Sequence, residues 1–140
     1  MPKKKILIID DEAGFTRMVK LNLERTGEFE VYEVNQAPAA MTVAREFKPD
    51  LILLDVIMPA MDGGDIRARL QADPKLKDIP VIFLTATLSP RETAGAPQHS
   101  GGEQFLAKPV SFAVLLACIR QNLSASAPPP LPGDSPRVDR

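Results

Sequence analysis

Residues 51–55 read Leu51-Ile52-Leu53-Leu54-Asp55, four apolar residues closed by a carboxylate. A run this short, preceded by Pro49, fits a strand covered on both faces, and such strands belong to parallel sheets. Outward from it the same pattern recurs. A strand at residues 5–9, apolar from Ile6 to Ile9, meets Asp10; residues 81–84 meet Thr85, and residues 104–107 meet Lys108. Residues 29–34, with Glu30 and Glu33 among apolar residues, alternate more, as an edge strand does. Between these strands the apolar residues fall at helical spacing. Phe15, Met18, Val19 and Leu23 lie on one face until Gly27 stops the helix. Ala40, Val43, Ala44 and Phe47 follow a start near Pro38 and end before Pro49. A third helix is expected from Asp65 to Ala72, and a last one opens at Ser111 with Phe112, Leu115, Leu116, Ile119 and Leu123 on its inner stripe. Strands alternating with helices predict an α/β domain, a five-stranded parallel sheet with helices on both faces.

The composition agrees with one such domain. The chain has 140 residues, 44% hydrophobic and 25% charged, which excludes a wholly disordered polymer. Seventeen Lys and Arg against eighteen Asp and Glu leave a net charge of −1, so no global field draws the chain to nucleic acid or to anionic lipid. Its longest apolar run, Phe112 to Ile119, is eight residues, far short of the roughly 20 that span a bilayer. Two aspartates break the apolar stretch behind Lys3, Lys4 and Lys5, which no signal peptide tolerates. A cytoplasmic location is expected, with no direct nucleic-acid or membrane partner. The single cysteine, Cys118, suits a reducing compartment and reads as a small buried hydrophobe. Residues 1–123 form the expected domain. Residues 124–140, five of them proline, read as a disordered tail or linker.

In a parallel sheet every strand points the same way, so the residues just after the strands gather along one edge, where open α/β sheets bind ligands. That edge receives Asp10, Asp11 and Glu12 from the first strand, Asp55 from the third, Thr85 from the fourth, and Lys108 with Pro109 from the fifth. Three or more carboxylates held together repel one another unless a cation compensates them. With only oxygen ligands nearby, a hard divalent ion is favoured, and magnesium, Mg²⁺, which takes few protein ligands and keeps several waters, fits best. A hydroxyl, a lysine and Mg²⁺ converging on one carboxylate make a site for a tetrahedral dianion such as a phosphoryl group.

Four motifs, in this order, carry a resemblance: Ile8-Ile9-Asp10-Asp11-Glu12; Leu53-Leu54-Asp55-Val56-Ile57-Met58-Pro59 with Met61-Asp62-Gly63; Leu84-Thr85-Ala86; and Phe105-Leu106-Ala107-Lys108-Pro109. Together they resemble the receiver domain of bacterial two-component systems, the single-domain chemotaxis receiver being the familiar example, over about residues 4–123. The resemblance implies a flavodoxin-like strand order, 2-1-3-4-5. It implies that Asp55 is the phosphoacceptor, fed by a sensor histidine kinase or a histidine phosphotransfer protein, and that the switched surface is read by a downstream protein target. It further implies Asp11 and Asp55 as Mg²⁺ ligands, Asp10 acting largely through water, and the backbone carbonyl of Ile57 as a further ligand. Lys108 would bind the phosphoryl group and Thr85 would donate its hydroxyl to it. Phe105 would change rotamer as Thr85 moves, and a cis peptide before Pro109 would aim the lysine. The domain would be a signalling module that assists its own phosphorylation and dephosphorylation, not a metabolic enzyme.

One segment departs from the pattern. The family places a full helix between the fourth and fifth strands, but here a helix start at Ser89-Pro90-Arg91-Glu92 meets Gly95 and Pro97. A short or disordered fourth helix is expected, followed by a loop through Gln98, His99 and Ser100. His99 reads as a solvated surface residue. A fragment of a longer regulator, with a DNA-binding or enzymatic output domain beyond the tail, is an alternative reading. Two other classes are disfavoured. Aspartyl-phosphate enzymes of small molecules usually need a second acid two residues beyond the nucleophile, where Ile57 stands, and flavin proteins of this topology need a hydroxyl-rich loop where this chain is acidic.

Overall fold

A computed structural model describes residues 3–55, 63–85, 98–100, 103–108 and 111–125. The strands are β1 (Lys4–Ile9), β2 (Phe29–Val34), β3 (Leu51–Asp55), β4 (Val81–Thr85), β5 (Gln98–Ser100) and β6 (Glu103–Ala107). The helices are α1 (Ala13–Arg25), α2 (Ala40–Phe47), α3 (Gly63–Ala72) and α4 (Phe112–Ala125). Five strands run parallel in the order β2-β1-β3-β4-β6, the expected flavodoxin-like arrangement. The sheet has one strand more than expected: β5 pairs antiparallel with β6, His99 opposite Gln104. The expected loop at Gln98, His99 and Ser100 is therefore an edge strand. Its residues are polar and carry no apolar alternation, so nothing in their pattern announces it; the pairing with β6 creates it. The expected helix from Ser89 and the tail beyond residue 125 lie outside the described residues. The last helix runs two residues past the expected end at 123.

Alternation along the strands sends side chains to two cores. Ile6 and Ile8, Leu51 and Leu53, Ile82 and Leu84 pack with Val19 and Leu23 of α1 and with Leu115, Cys118 and Ile119 of α4. Leu7 and Ile9, Ile52 and Leu54, Val81 and Phe83 face the other way, onto Ala40 and Ala44 of α2 and Ile66 and Leu70 of α3. This is why residues 51–54 are apolar throughout. Both of their faces are covered, and each of the four is completely buried.

Local chemistry sets the helix ends. Gly27 takes φ +80 in the left-handed region just beyond α1, where glycine meets no steric penalty. Pro38 sits in the opening turn of the short 3-10 segment Ala37–Ala39 that leads into α2. Ser111 caps α4, its Oγ accepting the Val114 N–H at 3.1 Å. Along the outer side of β2, Glu24 of α1 accepts the Val31 N–H at 3.1 Å while Lys20 donates to the Val31 carbonyl at 2.9 Å. Two side chains one helical turn apart thus hold both polar groups of one peptide position.

Candidate functional site

The register of the sheet levels the strand ends. Ile9 lies opposite Leu54, Asp55 opposite Leu84, and Thr85 opposite Ala107. Asp10, Asp55, Thr85 and Lys108 therefore emerge along one edge, beside the point where chain order reverses between β1 and β3. Crevices of this kind are where doubly wound sheets bind ligands. Asp10, Asp11 and Asp55 each offer a carboxylate oxygen, and the three oxygens lie within 4.8 Å of one another. Asp10 and Asp55 are buried and Asp11 is exposed, so the cluster has two deep ligands and an open side.

Lys108 supplies the counter-charge. Its Nζ lies 2.6 Å from Asp10 Oδ2, 2.7 Å from Glu12 Oε1 and 3.8 Å from Asp55 Oδ1. Burial alone would lower its pKa, but the contacts with Asp10 and Glu12 and the charge of Asp55 outweigh burial and hold it above the ordinary 10.5. The lysine is fully charged at neutral pH. The Lys108 backbone N–H also donates to the Thr85 carbonyl at 2.8 Å, tying the ends of β4 and β6 together. Asp10 is fully buried, and the Lys108 ammonium is the charged partner of its Oδ2. Three clustered carboxylates, two buried and one open to water, fit a hard divalent cation with oxygen ligands.

The candidate switch residues sit beside this cluster. Thr85 closes β4 and is buried. Phe105 of β6 is half-buried and stacks on Phe83, ring centroids 5.0 Å apart and planes 18° from parallel. Ile57 and Pro109 lie outside the described residues. The expectation for Cys118 holds: it is buried, bonded to the Gln104 side chain at 3.3 Å, and burial pushes its thiol pKa up.

Some participants escaped the sequence reading. Asn35, the first residue after β2, donates to the Asp10 carbonyl and to Thr16 Oγ1, both at 2.9 Å. Thr16 is fully buried and donates in turn to Glu33 at 2.8 Å. This chain braces the turn that carries the acidic pair. The rule that finds Asp55 also finds Asn35, for both stand at the carboxyl end of a strand along the same edge. Spacing alone places Phe15 on a helix face, yet its ring lies 4.7 Å from Lys108 Nζ. Glu12 is a strand-end carboxylate whose position alone assigns it no role, yet it accepts from Lys108 Nζ.

A doubly wound sheet with an acidic cluster and a lysine at the carboxyl ends of its strands defines a class of signalling domains. Residues 6–120 match the family described as response regulator receiver domain, and the chain belongs to that family of two-component systems. It is 39% identical over 119 residues to the response regulator PleD of Caulobacter vibrioides, covering 83% of this chain and 25% of that protein. It is 36% identical over 135 residues to the phosphate regulon transcriptional regulatory protein PhoB of Pseudomonas aeruginosa, covering 96% of this chain and 56% of that one. Among solved structures, the signal receiver domain of a signal transduction histidine kinase from Syntrophus aciditrophicus matches with a TM-score of 0.75 and 32% identity, over 91% of this chain and 95% of that one. The chain thus spans a quarter to about half of these curated relatives' length. Among the described residues no helix is long and apolar enough to cross a membrane.

Proposed function

We propose that the chain is a phosphoacceptor, taking a phosphoryl group from a phosphohistidine of a sensor kinase or histidine phosphotransfer protein onto Asp55 and changing its surface for a downstream protein. The supporting observation is the convergence of three carboxylate oxygens within 4.8 Å beside a charged lysine at the strand-end edge. An Asp55 oxygen forms the new O–P bond as the P–N bond to the histidine breaks, and the imidazole nitrogen keeps the electron pair. Asp11 and Asp55, with the Ile57 carbonyl, would hold Mg²⁺, and Asp10 would act on it largely through water. When bound, this ion supplies charge neutralisation for the equatorial phosphoryl oxygens. Lys108 contributes a second positive charge to the same oxygens. Thr85 donates its hydroxyl to the phosphoryl group once it is on Asp55, and Phe105 follows Thr85. Because those contacts exist only in the phosphorylated state, they bias a two-state equilibrium, about tenfold for each 1.4 kcal/mol of differential contact.

Asp55→Asn tests the assignment. The variant keeps its fold, read by circular dichroism, and incorporates no label from a small acyl phosphate donor in the presence of Mg²⁺. Labelling at the wild-type rate refutes the role of Asp55. A second reading, a receiver at the start of a larger regulator, is favoured by the fraction of the relatives' length that the chain spans. The intact mass of the native protein separates the two.

A further inference from the structure

Glu12 stands at the N-cap of α1, a position that favours Ser, Thr, Asp or Asn, and its side chain makes no capping hydrogen bond. Its carboxylate reaches instead across 96 residues of sequence to Lys108 Nζ, which donates to Oε1 at 2.7 Å. Phe15, on the first turn of the same helix, places its ring 4.7 Å from that ammonium. The lysine is thus held from the α1 side by a carboxylate and an aromatic face. From Asp55 it is 3.8 Å away, beyond hydrogen-bond reach.

We propose that Glu12 and Phe15 form a resting cradle for Lys108, so that Glu12 competes with a phosphoryl group on Asp55 for the one lysine at the site. This positioning role rests on the proposed function of Asp55 and Lys108. In the resting chain the cradle keeps the ammonium pointed at the acidic edge. On phosphorylation the lysine exchanges the Glu12 contact for a phosphoryl oxygen, and the strength of the Glu12 contact is subtracted from the stability of the phosphorylated state. The Glu12 side chain is 63% exposed, so solvent screening limits the subtraction to that of a surface pair. Removing it therefore strengthens phosphoryl binding by about two- to fivefold.

The test uses the full chain with Mg²⁺ and beryllofluoride, a non-covalent tetrahedral mimic of the phosphoryl group, and needs no turnover. Glu12→Gln binds beryllofluoride about two- to fivefold tighter than the wild type. Glu46→Gln, the same loss of charge at an exposed position on α2, leaves the affinity unchanged. A second readout is the NMR signal of the Lys108 ε protons, which the Phe15 ring current shifts upfield in the resting chain. That shift shrinks in Glu12→Gln and disappears when the wild type binds beryllofluoride. Unchanged or weaker binding in Glu12→Gln, or ε protons indifferent to both the substitution and the mimic, overturns the cradle. If the wild type binds no beryllofluoride at all, the proposed function fails, and the ε-proton shift in Glu12→Gln alone decides whether Glu12 holds the lysine.

Discussion

Gly14 and Gly27 have the same empty surroundings: at either position a Cβ would meet no atom within 4 Å. Their backbones differ. Gly27 holds φ +80 just past α1, where a side chain is strained, whereas Gly14 lies inside the helix in an ordinary conformation. Gly27→Ala is expected to cost about 1–2 kcal/mol, and Gly14→Ala to add up to about 1 kcal/mol. Urea unfolding of the two variants checks both signs. Equal effects would mean that conformation is not what distinguishes the positions.

The hold of α1 on β2 has a pH signature. The Val31 N–H that Glu24 accepts, aided by Lys20, keeps the Glu24 carboxyl below its ordinary 4.5. A depressed carboxyl contributes stability that is present above its unfolded pKa and is lost as pH falls through the folded one. Stability should therefore decline on acidification below about 4.5, and Glu24→Gln should show a shallower decline across that window. Acid-unfolding curves of the two proteins measure it. The same elements show what was legible in the sequence. Residues 51–54 could be read because a strand covered on both faces has to be apolar at every position. Asp55 and Lys108 could be read because topology, not local pattern, brings strand ends together. Strand β5 could not, since Gln98, His99 and Ser100 are a strand only through pairing with β6. Nor could the Glu12–Lys108 contact, because no helical or strand period links positions 96 residues apart.

Taken whole, the molecule concentrates negative charge at one edge of its sheet, where Asp10, Glu12 and Asp55 share Lys108 and Asp11 adds a further carboxylate. A ligand that binds only the folded chain stabilises it. Mg²⁺ at ten times its Kd should add about 1.4 kcal/mol, or roughly 3–8 °C in melting temperature. Chelation by EDTA should reverse the gain, and Asp11→Asn should show little of it. Calorimetric scans with and without the ion check this. A variant that melts identically to the wild type under both conditions would remove Asp11 from the ligand set.

The outer flank of β2 has one more consequence. A sheet with open flanks can recruit a second chain through unsatisfied peptide groups, the route to fibrous polymers. Here Lys20 and Glu24 already occupy both polar groups of Val31 at the middle of that flank. The opposite flank ends in a strand of only three residues. Among the described residues neither side offers an incoming chain a long uninterrupted ladder, which works against strand-by-strand polymerisation despite the exposed Met18, Leu21 and Tyr32.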